Sequence, residues 1–194
     1  AGCSMDMYRL FIAMPLPQPV KAALVQVQAR LRRSGAPVKW VAPELMHLTL
    51  HFLGATEPER VPQIVAALRQ CCTGRDAIRL SLTISGAFPN LRRPTVVWAG
   101  VGGDLPALGQ LVAQLRQSLT LLGLPLEERR FRPHLTLGRT RRDASPSALE
   151  QLGDLMRALP QLPPVEWVSN QVVLFRSELL SAGPAYTRIA DCQL

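Results

Sequence analysis

One tetrapeptide, His-Leu-Thr-Leu, occurs twice in this chain, as His47-Leu48-Thr49-Leu50 and as His134-Leu135-Thr136-Leu137, although the 194 residues include only three histidines. Each copy alternates polar and apolar residues. In an extended strand successive side chains point to opposite faces, so the repeat demands two half-buried strands. Each strand then shows a histidine and a threonine on one face. Alternation places Leu48, Leu50 and Phe52 toward a core beneath the first copy, and Leu135 and Leu137 beneath the second. The third histidine, His51, falls on the same predicted face as His47 and has no counterpart after the second copy, where Gly138 and Arg139 follow. It reads as a solvent-facing residue or one behind the site.

Imidazole titrates near pH 6.5, so two of them in one cleft can hold opposite protonation states near neutrality, one as general base and one as general acid. A threonine hydroxyl donates hydrogen bonds, and its β-branched side chain is stiff at χ1, so the donor is aimed in advance. Two imidazoles and two such donors suit an in-line displacement at a phosphodiester. That scheme needs no metal. A zinc hydrolase fits poorly, because there is no H-E-x-x-H pattern and no carboxylate at ligand spacing from either histidine.

The residues around both copies resemble the two-histidine phosphoesterase superfamily, and within it the RNA 2′,3′-cyclic phosphodiesterases formerly called 2′-5′ RNA ligases. The resemblance runs through Arg9-Leu10-Phe11-Ile12-Ala13, then Met46 to Gly54, then Phe88-Pro89-Asn90 leading by Arg93-Pro94 to Val96-Val97-Trp98. It continues in Phe131 to Arg139 and in Leu174 to Leu179 with Gly183 and Tyr186, and so covers nearly all of the chain. It implies that His47 is the general acid protonating the departing ribose 3′ oxygen and that His134 activates the attacking water. Thr49, Thr136 and Arg139 would bind the phosphate, no cofactor would be needed, and the product would be a 2′-phosphomonoester. Strict alternation puts Arg139 on the face opposite His134, so the strand must twist, bulge or end near Gly138 for the guanidinium to reach the site.

The implied substrates are RNA with 2′,3′-cyclic phosphate ends or small cyclic nucleotides. Reversible 2′-5′ RNA joining, or hydrolysis of 2′-5′ diesters, would use the same acid and base. A non-catalytic module that binds RNA ends is the alternative from another class, and the completeness of both motifs argues against it.

The chain carries a formal charge of +8, almost wholly from arginine, since Lys21 and Lys39 are its only lysines. Arginine presents a planar fork suited to phosphate, which is compatible with RNA but equally with a general preference for arginine. Cys3, Cys71, Cys72 and Cys192 show neither C-x-x-C spacing nor the density of a secreted disulfide scaffold, so a reduced, cytoplasmic setting is expected. No stretch reaches the length of a membrane span. Residues 1–6 read as an expression remnant or a disordered N-terminus, with Met5 or Met7 as the natural start.

The order of elements implies an α+β fold of two pseudo-twofold-related lobes, each an antiparallel β-sheet lining a central cleft, with helices packed outside. Residues 7–194 form one two-lobed domain, expected to be a monomer. Strands are predicted near 8–13, 38–41, 78–87 and 95–101 besides the two motif strands, followed by final strands near 166–177 and 186–191. Helices are predicted near 19–33, 57–72, 105–122 and 146–159, the first with Ala23, Leu24, Val27 and Leu31 as its apolar stripe. The first lobe would take the elements through residue 101, although strands crossing between lobes are expected. The loop Arg129-Arg130-Phe131-Arg132 allows two readings, a ring that stacks a base between phosphate-holding arginines, or a core phenylalanine in a solvated loop. Trp40 and Trp98 sit among β-formers and read as core.

Overall fold

The computed structural model describes residues 6–159 and 161–194, and the expectations for residues 1–5 lie outside it. In chain order the elements are β1 (Tyr8–Pro15), α1 (Gln18–Leu31), β2 (Val38–Trp40), β3 (His47–Thr56), α2 (Val61–Cys72), β4 (Ile78–Phe88) and β5 (Val96–Gly103). Then follow α3 (Leu105–Leu121), β6 (His134–Thr140), α4 (Pro146–Ala158), β7 (Glu166–Ser169), β8 (Gln171–Leu180) and β9 (Gly183–Gln193). Short 3₁₀ turns precede β3 and α2, and one extends α1 to Ser34.

The strands form two antiparallel sheets, ordered β3-β1-β8-β9 and β2-β6-β5-β4-β7, in the expected α+β class. The partition differs from a division by halves of the chain. The sheet holding the first motif is completed by the C-terminal β8 and β9, and β2, β4 and β5 join the second motif's sheet. One predicted strand near 166–177 is two: β7 pairs with β4, the chain leaves the ladder at Asn170, and β8 pairs with β1 in the other sheet. Alternation does not disclose such a crossing, because which sheet a strand joins depends on partners remote in sequence.

Helix starts and stops follow local chemistry. Asp104 and Ser145 cap α3 and α4 by accepting hydrogen bonds from the amides of Ala107 and Ala148. Proline stands in the first turn of all four helices, where its missing N–H costs nothing. Gly35 and Gly123, at φ of 68° and 74°, turn the chain after α1 and α3 in the left-handed region that glycine tolerates. The predicted stripe Ala23, Leu24, Val27 and Leu31 is buried, joined by Gln28. Ile84 is half exposed because a bulge between Leu82 and Ser85 breaks the β4 alternation.

Candidate active site

Both motif histidines stand at strand starts, at the first residues of β3 and β6. Each ring is fixed in the same way. His47 Nδ1–H donates to the carbonyl of Leu45 at 2.7 Å, and His134 Nδ1–H donates to the carbonyl of Arg132 at 2.6 Å. A carbonyl only accepts, so Nδ1 must carry the proton in both rings. Nε2 is thereby left as the nitrogen that gains or gives a proton at the cleft.

The histidines line one cavity of about 300 Å³ together with Thr49, Thr136, Arg139, Arg9, Phe52 and Tyr186. Its walls come from β1, β3, β8 and β9 of one sheet and from β6 of the other. All five residues expected from the sequence, His47, His134, Thr49, Thr136 and Arg139, therefore meet at one cleft.

The two strands repeat a backbone irregularity as well as a sequence. Ala13 pairs with Thr49 and Ile12 with His51, which leaves Leu50 as an extra residue in β3. Trp98 pairs with Thr136 and Val97 with Gly138, which leaves Leu137 as the extra residue in β6. A bulge three residues after each histidine shifts the alternation by one. The consequence for β6 is that Gly138 is buried and Arg139 turns to the cleft, resolving the conflict that strict alternation posed.

The consequence for β3 corrects two sequence expectations. Phe52, expected in the core, is 56% exposed and lines the cleft. His51, expected on the His47 face as a solvent-facing residue or one behind the site, is 1% exposed on the core side, with neither ring nitrogen hydrogen-bonded. Burial lowers its pKa, Glu127 acting against that shift and Arg116 with it. His51 is thus held toward its neutral form.

The two motif imidazoles have different surroundings. His47 packs against Phe11 at 4.9 Å between ring centroids, Tyr186 at 5.3 Å and Phe175 at 6.1 Å. Burial in this aromatic setting lowers its pKa from 6.5 to about 4; the Leu45 carbonyl opposes the shift and the charge of Lys21 adds to it. His134 meets the edge of Phe88 at 5.0 Å and lies 6.4 Å from the Trp98 ring. Trp98 is half-buried against Gly86, so its role is support behind His134. Trp40 is likewise partly buried, with the Arg32 guanidinium 5.2 Å from its ring.

Gln28 reaches from α1 to the β6 bulge, which sequence reading does not anticipate. Its amide donates to the Leu137 carbonyl at 2.9 Å and to the Val41 carbonyl at 2.8 Å. The Val41 amide donates to the same Leu137 carbonyl at 2.9 Å. These bonds satisfy the groups that the extra residue removes from the ladder. Phe52 had a sequence signal, its offset of five residues from His47 matching that of Arg139 from His134. Gln28 had none, since its partners are backbone atoms remote in sequence.

Comparison with known proteins matches this architecture. The model of the LigT-like phosphoesterase family matches residues 14–98 and again residues 104–186, one motif histidine in each segment. The chain belongs to the LigT-like phosphoesterase family. An RNA 2′,3′-cyclic phosphodiesterase of Methanothermobacter thermautotrophicus is 32% identical over 92% of this chain and 95% of its own length. The crystal structure of TT0787 of Thermus thermophilus superposes with a TM-score of 0.78 at 33% identity, covering 96% of this chain and 97% of that one. Escherichia coli LigT, crystallised with 3′-AMP, gives a TM-score of 0.79 at 24% identity over 97% of this chain and 99% of its own, a likeness of fold. Among the described residues no three His, Cys, Asp or Glu side chains are grouped as metal ligands, and no helix is long and apolar enough to cross a membrane.

Proposed function

We propose that this LigT-like phosphoesterase hydrolyses 2′,3′-cyclic phosphate ends of RNA, or of small nucleotides, to 2′-phosphomonoesters without a metal. The observation that carries the reading is the pair of imidazoles in one cleft, each with Nδ1–H held by the carbonyl two residues before it. His134 Nε2 accepts a proton from water as the water oxygen attacks phosphorus. The bond from phosphorus to O3′ breaks, and His47 Nε2–H delivers its proton to that oxygen, leaving a 3′ hydroxyl and a 2′ phosphate. Thr49 and Thr136 donate to the non-bridging oxygens, and Arg139 offsets the charge that accumulates on them.

His47 must enter this cycle protonated, yet burial holds it near 4 when the cleft is empty. The substrate phosphate supplies the missing countercharge. An anion within hydrogen-bonding reach of a buried imidazolium raises its pKa, so loading the substrate and charging the acid are one event. The related names support the substrate class, since the relatives at 32%, 30% and 34% identity are all RNA 2′,3′-cyclic phosphodiesterases. Three buried free thiols, Cys71, Cys72 and Cys192, are compatible with a reduced cytoplasmic setting, and the reading carries with it a monomer of one two-lobed domain.

The test is incubation with an RNA oligomer ending in a 2′,3′-cyclic phosphate in the presence of EDTA, with the product end identified by mass and phosphatase sensitivity. A 2′-phosphate end is expected from the wild type. His47→Ala or His134→Ala should lower kcat by about 10²- to 10⁴-fold with the circular dichroism spectrum unchanged. Normal turnover by either variant, or loss of activity in EDTA, would overturn the reading.

A further inference from the structure

Beside the histidine cleft lies a second cavity of about 550 Å³, and Thr49, Phe52, His134 and Arg139 line both. The two adjoin along these four residues. The first volume is at the lower end of the range of small-ligand sites, so the second is additional room.

The wall of the second cavity has a composition of its own. Arg116, Arg129, Arg130, Arg132 and Arg139 face Glu127 as the one carboxylate in its lining. That carboxylate is engaged by Arg116 at 4.0 Å. Among the described residues Arg129, Arg130 and Arg132 make no salt bridge, and all three are exposed. Interleaved with them are the rings of Phe131, Phe88 and Phe52. Phe131 packs partly on the core while lining the cavity, so its ring is neither wholly core nor wholly solvated.

The loop is tethered at both ends. Arg116, from α3, donates to the Arg129 carbonyl at 3.0 Å as well as reaching Glu127. The Arg132 carbonyl accepts from His134 Nδ1. The peptide that presents the arginines therefore also orients the proposed base.

Cations without salt-bridge partners that line one cavity with aromatic rings suit a single strand of nucleic acid, whose phosphates need countercharge and whose bases stack. A 2′,3′-cyclic mononucleotide carries its single charge on the cyclic phosphate. An RNA end carries a further phosphodiester on the 5′ side of the same ribose, and then another base. From this we infer that the second cavity is a subsite for the nucleotide preceding the cyclic end, with Arg129 and Arg130 holding its phosphodiester and Phe131 its base. The inference rests on the proposed cyclic phosphodiesterase reading and narrows it from nucleotides to polynucleotide ends.

The experiment compares adenosine 2′,3′-cyclic phosphate with the dinucleotide ApA ending in a 2′,3′-cyclic phosphate, by kcat/KM and its salt dependence. It includes the variant Arg129→Gln/Arg130→Gln and a charge-matched control, Arg30→Gln/Arg33→Gln, at exposed positions that line neither cavity. The wild type and the control should favour the dinucleotide by about tenfold or more. The loop variant should lose most of that preference, with a shallower salt dependence on the dinucleotide and mononucleotide turnover within about twofold. Equal turnover of both substrates by the wild type overturns the inference. So does a parallel loss on both substrates in the loop variant, which would mean steering by net charge. Binding of the 2′-phosphorylated mononucleotide and dinucleotide is measured on the same proteins without turnover. If neither cyclic substrate is opened, the proposed activity fails, and binding still decides: tighter dinucleotide binding lost in the loop variant supports the subsite, and equal affinity overturns it.

Discussion

Phe52 and Arg139 hold equivalent places, each five residues past a motif histidine and each turned into the same groove by a bulge at a leucine two residues earlier. The internal repeat thus extends to the backbone but diverges at this position. One strand offers an aromatic face and the other a guanidinium, so the groove distinguishes its two sides although the histidines are related by pseudo-symmetry.

Because Phe52 is 56% exposed, Phe52→Ala should change stability by no more than about 0.5 kcal/mol. It should lower kcat/KM about tenfold through a raised KM, as expected for a lost stacking surface. Arg139→Ala should instead lower kcat, the charge on phosphate being largest in the transition state. Steady-state kinetics on a cyclic-phosphate RNA end separates the two; a kcat loss from Phe52→Ala with KM unchanged would count against this division.

The setting of His47 makes both ligand binding and stability depend on pH. In the empty cleft its pKa of about 4 lies below the unfolded value of 6.5. The folded state therefore binds fewer protons across that interval, and stability falls as pH drops from 6.5 to 4, by up to about 3 kcal/mol from this group. Urea midpoints at pH 7 and pH 4.5 should differ less for His47→Gln than for the wild type. A 2′-phosphate ligand should raise the His47 pKa in an NMR titration, with proton uptake on binding and affinity weakening as pH rises. No change in that titration would contradict the role of the anion in charging the acid.

Gln28→Leu removes both donors to the Val41 and Leu137 carbonyls while keeping a buried apolar volume. The Val41 carbonyl loses its Gln28 donor, and the Leu137 carbonyl keeps only the Val41 amide. A loss of about 1–3 kcal/mol in unfolding free energy is expected. Since that bulge aims Arg139, kcat should fall as well, and the hydrogen-exchange protection of the Val41 amide should drop. Wild-type kcat in a destabilised variant would separate the bulge from catalysis.

Gly86 lies opposite Trp98 in the β4–β5 ladder, and a Cβ there would stand 2.2 Å from the indole. Gly86→Ala must therefore displace Trp98, whose neighbours are Phe88 and His134. A loss of about 1–3 kcal/mol is expected, with a changed Trp fluorescence spectrum and reduced turnover. An unaltered spectrum would show that the strand yields instead of the ring.

The helices were legible because each signal lies within a few residues. The prolines at Pro19, Pro62, Pro106 and Pro146 and the capping Asp104 and Ser145 act on adjacent backbone. The motif strands were legible as far as Thr49 and Thr136, where period-two alternation still holds. Beyond those residues it misled, since a bulge inverts the faces that follow it, in β3 as far as a second register shift at Leu53. That is why Phe52 was expected in the core and His51 on the His47 face.

The sequence by itself determined which residues pair an imidazole with a hydroxyl on one strand face, since period-two alternation places His47 with Thr49 and His134 with Thr136. It also determined where the four helices lie, although α2 begins at Val61, after the 3₁₀ turn Pro58–Arg60, four residues later than expected. Only the tertiary structure decided which strands share a sheet, that the run from 166 to 180 divides between two sheets, and that Leu50 and Leu137 are extra residues in their ladders. It decided too the low pKa of His47 and the bond from Gln28 to Leu137, a residue 109 positions away. These properties depend on what packs against a group and on which backbone partners remain unpaired, and those neighbours come from parts of the chain that no local pattern connects.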